Sequence, residues 1–126
     1  MFKIMLVSPD KNSFSDFVAG LNQNTDVEII RAESGEVAFK KISDTAVDLV
    51  VTDEDLGDMT NMEFAERLVR INPMINCALV SSSSPEAFHE ASEGLGIICQ
   101  LSAHPGKKEA DGLIEKLRIL NRHTQP

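Results

Sequence analysis

The sequence predicts an α/β fold in which a mostly parallel β-sheet is covered by helices on both faces. Five short apolar segments have the composition of strands, and the segments between them repeat apolar residues at helical spacing. Strands that alternate with helices are joined by right-handed crossovers, which makes neighbouring strands parallel. The predicted class is therefore a doubly wound, three-layer sandwich, for which one common strand order is 2-1-3-4-5.

The five predicted strands are rich in β-branched and other apolar residues, as buried strands of a parallel sheet are. They are Phe2–Val7, Val27–Ala32, Leu49–Thr52, Ala78–Val80 and Ile97–Leu101. The third strand ends abruptly in the acids Asp53, Glu54 and Asp55. Because unpaired charges are costly to bury, this cluster belongs at the rim of the sheet, where ligands bind in folds of this class.

The first two predicted helices follow strands 1 and 2. The first carries an apolar stripe at helical spacing, formed by Phe14, Phe17, Val18 and Leu21. The second runs through Ala38 to Ile42, and Ser34 is a suitable N-cap for it. Between the first strand and the first helix, Asp10 is either a cap of that helix or a metal ligand.

The remaining three helices have clear start or stop signals. The third begins near Asn61 and ends before Pro73, which cannot continue a helix. The fourth begins at Ser84-Pro85 and ends at Gly94 or Gly96. The last carries apolar residues at helical spacing, namely Leu113, Ile114, Leu117 and Leu120. We expect one domain over residues 1–126, ordered to about 121, with residues 122–126 as a tail.

Composition excludes several classes of function. The net charge of −8 argues against direct binding of nucleic acid, which requires a basic patch, and against an anionic membrane surface. No apolar stretch approaches the roughly 18 residues of a membrane span, and the N-terminus lacks the plan of a signal peptide. We therefore expect a cytoplasmic protein with Cys77 and Cys99 as reduced thiols.

The predicted topology brings polar residues from several strands to one rim. Parallel strands end at the same edge, so Asp10, Asp53, Ser81 and His104 should lie close together there. Each also has an ordinary structural role open to it. Asp53 could be an N-cap or a solvated loop acid, Ser81 a hydroxyl bonded to backbone, and His104 a turn residue before Pro105.

Residues 48–59, which read DLVVTDEDLGDM, resemble the phosphorylation motif of the receiver domains of bacterial two-component response regulators. The resemblance extends along essentially the whole chain and implies the flavodoxin-like or CheY-like strand order. It implies that Asp53 is the phosphoacceptor and that Ser81 takes the place of the family's Ser/Thr. His104-Pro105 then takes the place of its Lys-Pro pair, with a cis peptide bond.

The chain also departs from the family pattern. Ser8 and Pro9 replace two adjacent acids that hold Mg²⁺, His104 replaces the lysine, and Leu101 replaces the aromatic switch residue. Gly57 replaces a proline. The metal ligands that remain by resemblance are the side chains of Asp10 and Asp53 and the backbone carbonyl of Asp55. We therefore expect weak Mg²⁺ binding or none, because Mg²⁺ demands oxygen ligands in octahedral geometry.

Three functions fit these residues. The first is a receiver in phosphorelay signal transduction, phosphorylated on Asp53 by a sensor histidine kinase or phosphotransfer protein. Such a protein is not an enzyme: at most it accepts a phosphoryl group and slowly loses it. It would signal to a downstream protein through the face of helix 4, strand 5 and helix 5. That face carries His89, Glu90, Glu93, Gln100, Lys107 and Lys108.

The second function is a pseudo-receiver, an interaction module with the same fold that works without phosphorylation. The third is a flavodoxin-like electron carrier. A flavin phosphate needs a Gly- and Ser/Thr-rich loop after strand 1, but residues 8–13 contain no glycine. The chain also lacks Trp and Tyr for stacking on a flavin, which disfavours this third function.

Overall fold

The computed structural model describes residues 2–124 and contains strands and helices in strict alternation. The strands are β1 (Phe2–Val7), β2 (Val27–Ala32), β3 (Leu49–Thr52), β4 (Asn76–Val80) and β5 (Ile97–Leu101). The helices are α1 (Ser15–Leu21), α2 (Gly35–Asp44), α3 (Asn61–Ile71), α4 (Pro85–Ser92) and α5 (Lys107–Thr124). None of the helices in this part of the chain has the length and apolar character that crossing a membrane requires.

The five strands form one parallel sheet in the order β2-β1-β3-β4-β5, which confirms the predicted topology. β3 lies at the centre, and all four of its residues are buried. In register, Val7 pairs with Thr52, and Thr52 pairs with Leu79. The residues that follow these strands therefore meet at one edge, as parallel strands require.

The core has two halves, one on each face of the sheet. Side chains alternate along a strand, so Ile4 and Leu6 of β1 join the half beneath α1 and α5, whereas Met5 and Val7 join the other. α1 and α5 pack closely: a Cβ atom added to Gly20 would lie 2.9 Å from the Cβ of Ala110. A side chain at position 20 would therefore push these two helices apart.

Most element boundaries agree with the sequence predictions. Ser34 caps α2 by accepting a hydrogen bond from the Val37 N–H, and Ser84 caps α4 by accepting one from the Ala87 N–H. The predicted tail covers residues 122–126, and α5 includes the first three of these because it continues to Thr124. Residues 125–126 lie outside the described residues.

Candidate functional site

The rim at the carboxyl ends of the strands is assembled by backbone hydrogen bonds between neighbouring strands. The Asp53 N–H donates to the Val7 carbonyl at 2.9 Å, and the Ser81 N–H donates to the Leu101 carbonyl at 3.0 Å. These bonds hold the loops after β1, β3, β4 and β5 beside one another.

The Asp53 carboxylate is the centre of this rim and is half-buried. Its Oδ2 accepts hydrogen bonds from the hydroxyls of Ser8 at 2.8 Å and Ser13 at 2.7 Å. Its Oδ1 accepts from the adjacent Glu54 N–H at 2.9 Å. Three donors therefore satisfy this carboxylate, and hydrogen bonds to an ionised acceptor are the stronger kind.

The orientation of the Ser8 hydroxyl follows from its neighbours. Ser8 Oγ lies 2.8 Å from Asp53 Oδ2 and 3.1 Å from the Asp10 carbonyl oxygen, and it accepts a hydrogen bond from the Asp10 N–H at 3.0 Å. A hydroxyl has one proton to donate. The shorter distance and the negative charge both favour donation to Asp53.

Sequence reasoning did not identify Ser13 as a partner of Asp53. Ser13 is only 6% exposed, so its hydroxyl needs a hydrogen-bond acceptor inside the protein. It directly precedes Phe14, the first residue of the buried α1 stripe. That adjacency to a buried position was the available signal, but it does not reveal which acceptor the hydroxyl meets.

Asp10 does not cap α1. Its Oδ1 accepts from the Asn12 N–H at 2.9 Å, which stabilises the turn before α1. The N-cap of α1 is Phe14, whose side chain makes no capping bond, so the prediction of Asp10 as a cap was wrong. The structure places Asp10 on the rim loop after β1, where its backbone contacts Ser8 and its carboxylate is exposed.

The loop after β3 turns tightly through Leu56, Gly57 and Met59. The Leu56 N–H donates to the Met59 carbonyl at 3.0 Å, and Gly57 has a φ of 86°. Proline, which the resemblance expects at position 57, has φ fixed near −65° and could not adopt this turn. The exposed Asp55 carboxylate accepts from the Gly57 N–H at 2.9 Å, so it also takes part in the turn.

Asp58 connects the β3–α3 loop to α2 and was missed by sequence reasoning. Its carboxylate accepts from the backbone N–H groups of Glu36 and Gly35, each at 3.0 Å. The Glu36 N–H chiefly lowers the pKa of Asp58, with help from the Gly35 N–H and the Arg67 charge, against an opposing effect of desolvation. Together with Ser34, Asp58 satisfies donors that a helix N-terminus leaves free.

Ser81 and its loop are held from two sides. Glu54 Oε2 accepts from both the N–H and the hydroxyl of Ser82, each at 3.1 Å. From β5, the Gln100 amide donates to the carbonyls of Ser83 at 2.9 Å and Ser81 at 3.3 Å. Ser81 Oγ itself accepts from the Ser83 N–H at 3.1 Å, so its recorded contact is within its own loop.

His104 lies on the exposed loop between β5 and α5. The expected cis peptide bond was wrong: residues 2–124 contain none, and His104 instead adopts a φ of 51°. Within that range the His104 side chain makes no hydrogen bond or ion pair. This loop is instead fastened by Ser102, whose N–H and hydroxyl donate to the Glu109 carboxylate.

Cys77 and Cys99 are both free. Burial raises the pKa of the Cys77 thiol to about 12 and, to a lesser extent, raises that of Cys99. Cys77 belongs to one half of the core and Cys99 packs against the other, so the sheet separates them. Leu101, at the position of the family's aromatic switch residue, is 1% exposed and lies in the core.

The side chains expected to bind Mg²⁺ make hydrogen bonds within the protein. Across residues 2–124, His, Cys, Asp and Glu side chains form no group of three that could hold a metal ion. Of the two side-chain ligands expected by resemblance, Asp53 directs Oδ2 at two hydroxyls and Asp10 directs Oδ1 at its own turn. Weak binding of Mg²⁺, or none, therefore stays a prediction.

Comparisons with known proteins support the fold. No protein-family model and no curated protein matches the sequence. A two-component response regulator from Clostridium difficile superposes with a TM-score of 0.81 at 15% identity, covering 99% of this chain and 100% of that one. The chemotaxis response regulator CheY4 of Vibrio cholerae superposes with a TM-score of 0.78 at 16% identity, covering 93% and 98%.

A third similar structure is the signal receiver domain of an HD domain-containing protein from Pseudomonas fluorescens Pf-5. It superposes with a TM-score of 0.78 at 16% identity, covering 98% of this chain and 93% of that one. The structural neighbours of this chain are thus receiver domains of response regulators, and the chain has their CheY-like fold. At these sequence identities, the similarity shows the fold and does not assign a function to the site.

Proposed function

We propose that this receiver-fold chain is a signalling module that acts by binding other proteins and does not depend on phosphorylation of Asp53. One observation carries the proposal: Asp53 Oδ2 accepts hydrogen bonds from the hydroxyls of Ser8 and Ser13. Ser8 stands where the resemblance requires an acid that would bind a metal. Neutral donors therefore occupy the side of Asp53 that faces β1.

The chemistry of phosphoryl transfer explains why this exchange matters. Bringing a phosphoryl donor to a carboxylate places negative groups together, and catalysis consists mainly of positioning and of neutralising that charge with a metal and fixed cations. Here the two metal acids are replaced by Ser8 and Pro9, and the exposed His104 has no contact that would hold it at Asp53. The groups that would lower the barrier are missing from the positions where they act.

The contacts of the β4–α4 loop support the same proposal. In a receiver, as the resemblance implies, the phosphoryl group draws the Ser/Thr hydroxyl inward and the loop follows. Glu54 and Gln100 already hold this loop through Ser81, Ser82 and Ser83. A ligand shifts an equilibrium between two conformations only by its differential affinity for them. Because side-chain hydrogen bonds already fix this loop, phosphorylation has less effect on its conformation.

For the partner surface we propose the exposed face of α4, β5 and α5. Only Phe88 is buried among the residues of α4, so the remainder of this helix is available for contact. His89, Glu90 and Glu93 are exposed there. Lys107 and Lys108 are exposed at the start of α5. Gln100 is committed to the β4–α4 loop and is a weaker candidate for this surface. The proposed partner is a downstream signalling protein in the cytoplasm.

The second candidate function is a phosphoacceptor served by a sensor histidine kinase or phosphotransfer protein. It is favoured by the position of Asp53 at the end of the buried central strand, with Oδ1 bonded only to the neighbouring Glu54 N–H. That oxygen is the one available to attack phosphorus. Weak binding of Mg²⁺ by Asp53, Asp10 and the Asp55 carbonyl belongs to this candidate, as do catalytic contributions from Ser81 and His104.

Treatment with acetyl phosphate and Mg²⁺ followed by intact-protein mass spectrometry separates the two candidates. The compared proteins are the unaltered chain, Asp53→Asn, and Ser8→Asp with Pro9→Asp, which supplies the missing acids. We expect no more phosphorylation of the unaltered chain than of Asp53→Asn, and clear phosphorylation of the doubly substituted protein. Phosphorylation of the unaltered chain that Asp53→Asn abolishes would instead support the phosphoacceptor.

A further inference from the structure

A cleft lies beside Asp53, and Asp53 itself is not among its lining residues. It has a volume of about 540 Å³ and lies between the carboxyl ends of β1 and β2. Its lining includes the apolar residues Leu6, Phe14, Ala32 and Val37, of which the first three are almost fully buried and Val37 is partly exposed. A cavity of this volume is within the range that binds small organic ligands. Such cavities usually combine an apolar surface with a few polar groups.

The rim of the cleft carries three cationic side chains, Lys11, Arg31 and Lys41. The Arg31 guanidinium donates to the Lys11 carbonyl at 3.5 Å, and the Lys41 ammonium donates to the Arg31 carbonyl. Over residues 2–124 the ion pairs are Arg67–Glu36 and Arg118–Asp26, so none of the three is neutralised by a carboxylate.

Two carboxylates, Asp10 and Glu33, also line the cleft. Both carboxylates oppose a bound anion, and Asp10 also accepts from the Asn12 N–H at 2.9 Å. The cations outnumber the carboxylates, and a guanidinium retains further N–H donors after one hydrogen bond to a carbonyl. The polar rim therefore favours an acidic group in the ligand.

We infer that this cleft binds a small organic anion with an apolar body. The acidic group lies between Lys11, Arg31 and Lys41, and the apolar body lies against the partly exposed Val37. Arg31 supplies the directional contact, because its planar fork of donors matches the geometry of a phosphate or carboxylate. The bound molecule also reaches Ser8, which lines the cleft and donates to Asp53.

The inference is tested by amide NMR titration of the full chain with phenylphosphonate, which carries both features and has no transferable phosphoryl group. Inorganic phosphate and benzyl alcohol test the acidic head and the apolar body separately. The variants are Arg31→Gln and Lys41→Gln, with Lys40→Gln as the matched control, because Lys40 is the exposed neighbour on α2 that does not line the cleft.

We expect phenylphosphonate to shift the amides of residues 6–14 and 31–41. Each cleft variant should weaken binding by about threefold to tenfold, the loss expected for one partly exposed charge contact. Lys40→Gln should bind like the unaltered chain, and a dispersed spectrum checks that each variant is folded. Absence of shifts in the cleft, or equal losses in Lys40→Gln and Lys41→Gln, would overturn the inference. So would binding of phosphate or benzyl alcohol as tight as that of phenylphosphonate.

Discussion

The Ser8 hydroxyl donates a hydrogen bond to Asp53 Oδ2 at 2.8 Å, joining the ends of β1 and β3 at the rim of the sheet. Ser13 donates to the same oxygen at 2.7 Å. Two neutral side chains thus stabilise a carboxylate that, by resemblance, would face a metal ion. Hydrogen bonds from side chains of the same chain therefore stabilise the negative charge of Asp53.

Replacing Ser13 with alanine should destabilise the protein. The change removes a buried donor to a half-buried carboxylate, and loss of a hydrogen bond to a charged acceptor costs about 1–3 kcal/mol. Ser43→Ala is the control, since that exposed hydroxyl contacts only its own helix, and its effect should be below about 0.5 kcal/mol. Urea unfolding monitored by circular dichroism measures both. Equal effects of the two substitutions would show that Ser13 contributes nothing through Asp53.

Thr52 is a site where a polar group weakens the core. Among the described residues, its Oγ1 is a buried side-chain oxygen without a hydrogen-bond partner. Thr52→Val keeps the shape and removes the unsatisfied hydroxyl, so it should raise the free energy of unfolding by about 1 kcal/mol. The reverse change on the same strand, Val50→Thr, should lower it by about 1–3 kcal/mol. Thermal unfolding that gives Thr52→Val a lower stability would reveal a partner for this hydroxyl.

Asp58 should make stability depend on pH at acidic values. Hydrogen bonds from Glu36 and Gly35 lower its pKa from the ordinary 3.8, so the folded state binds its proton less readily than the unfolded state does. The resulting stabilisation is present above that ordinary value and is lost as the pH falls through the lower pKa of the folded state.

The substitution Asp58→Asn therefore should lower stability at neutral pH by about 0.5–1 kcal/mol, a modest effect because the group is exposed and screened. The difference from the unaltered chain should vanish at low pH, where Asp58 itself is protonated. Asp111→Asn, an exposed acid on α5, serves as the control and should show no such pH dependence. A difference for Asp58→Asn that persists unchanged into strong acid would contradict this role of the carboxylate.

Magnesium binding should respond to the residues after β1. We expect weak or undetectable binding by the unaltered chain, and clearly tighter binding after Ser8→Asp with Pro9→Asp, since two carboxylates then face Asp53. Titration calorimetry compares the two proteins, with Asp55→Asn as a control that should not change affinity because only its backbone carbonyl is a candidate ligand. Tight binding by the unaltered chain would mean that Asp10 and Asp53 form a centre despite their present hydrogen bonds.

Most of the fold could be predicted because each local signal agreed with the next. Val50 and Val51 had the character of a buried strand, Ser34 and Ser84 were suitable caps, and the acids after β3 required a rim. The alternation of elements and the crossover rule predicted a parallel sheet, and the resemblance implied its strand order. The parallel sheet then placed Ser8 beside Asp53 without any further information.

The contacts within the rim could not be predicted, because they depend on loop conformations that side-chain type does not determine. Asp10 could serve a turn, a cap or a metal, and only the backbone path before α1 selects the turn. Ser13 and Asp58 find partners 40 and 22 residues away, respectively, and short polar residues carry no periodicity that reveals such partners. The φ of 51° at His104 is likewise set by the local path of the loop. The resemblance had implied a cis peptide bond there, and the described residues contain none.

The most direct test of the proposed function is amide NMR of the full chain with and without beryllofluoride plus Mg²⁺, a mimic of the phosphorylated state, using Asp53→Asn as the control. The proposed module gives at most small shifts near Asp53 and none across residues 84–108, because Glu54 and Gln100 hold the β4–α4 loop in place. Broad shifts from Ser84 through Lys108 that are absent in Asp53→Asn would contradict it and would establish a working phosphorylation switch.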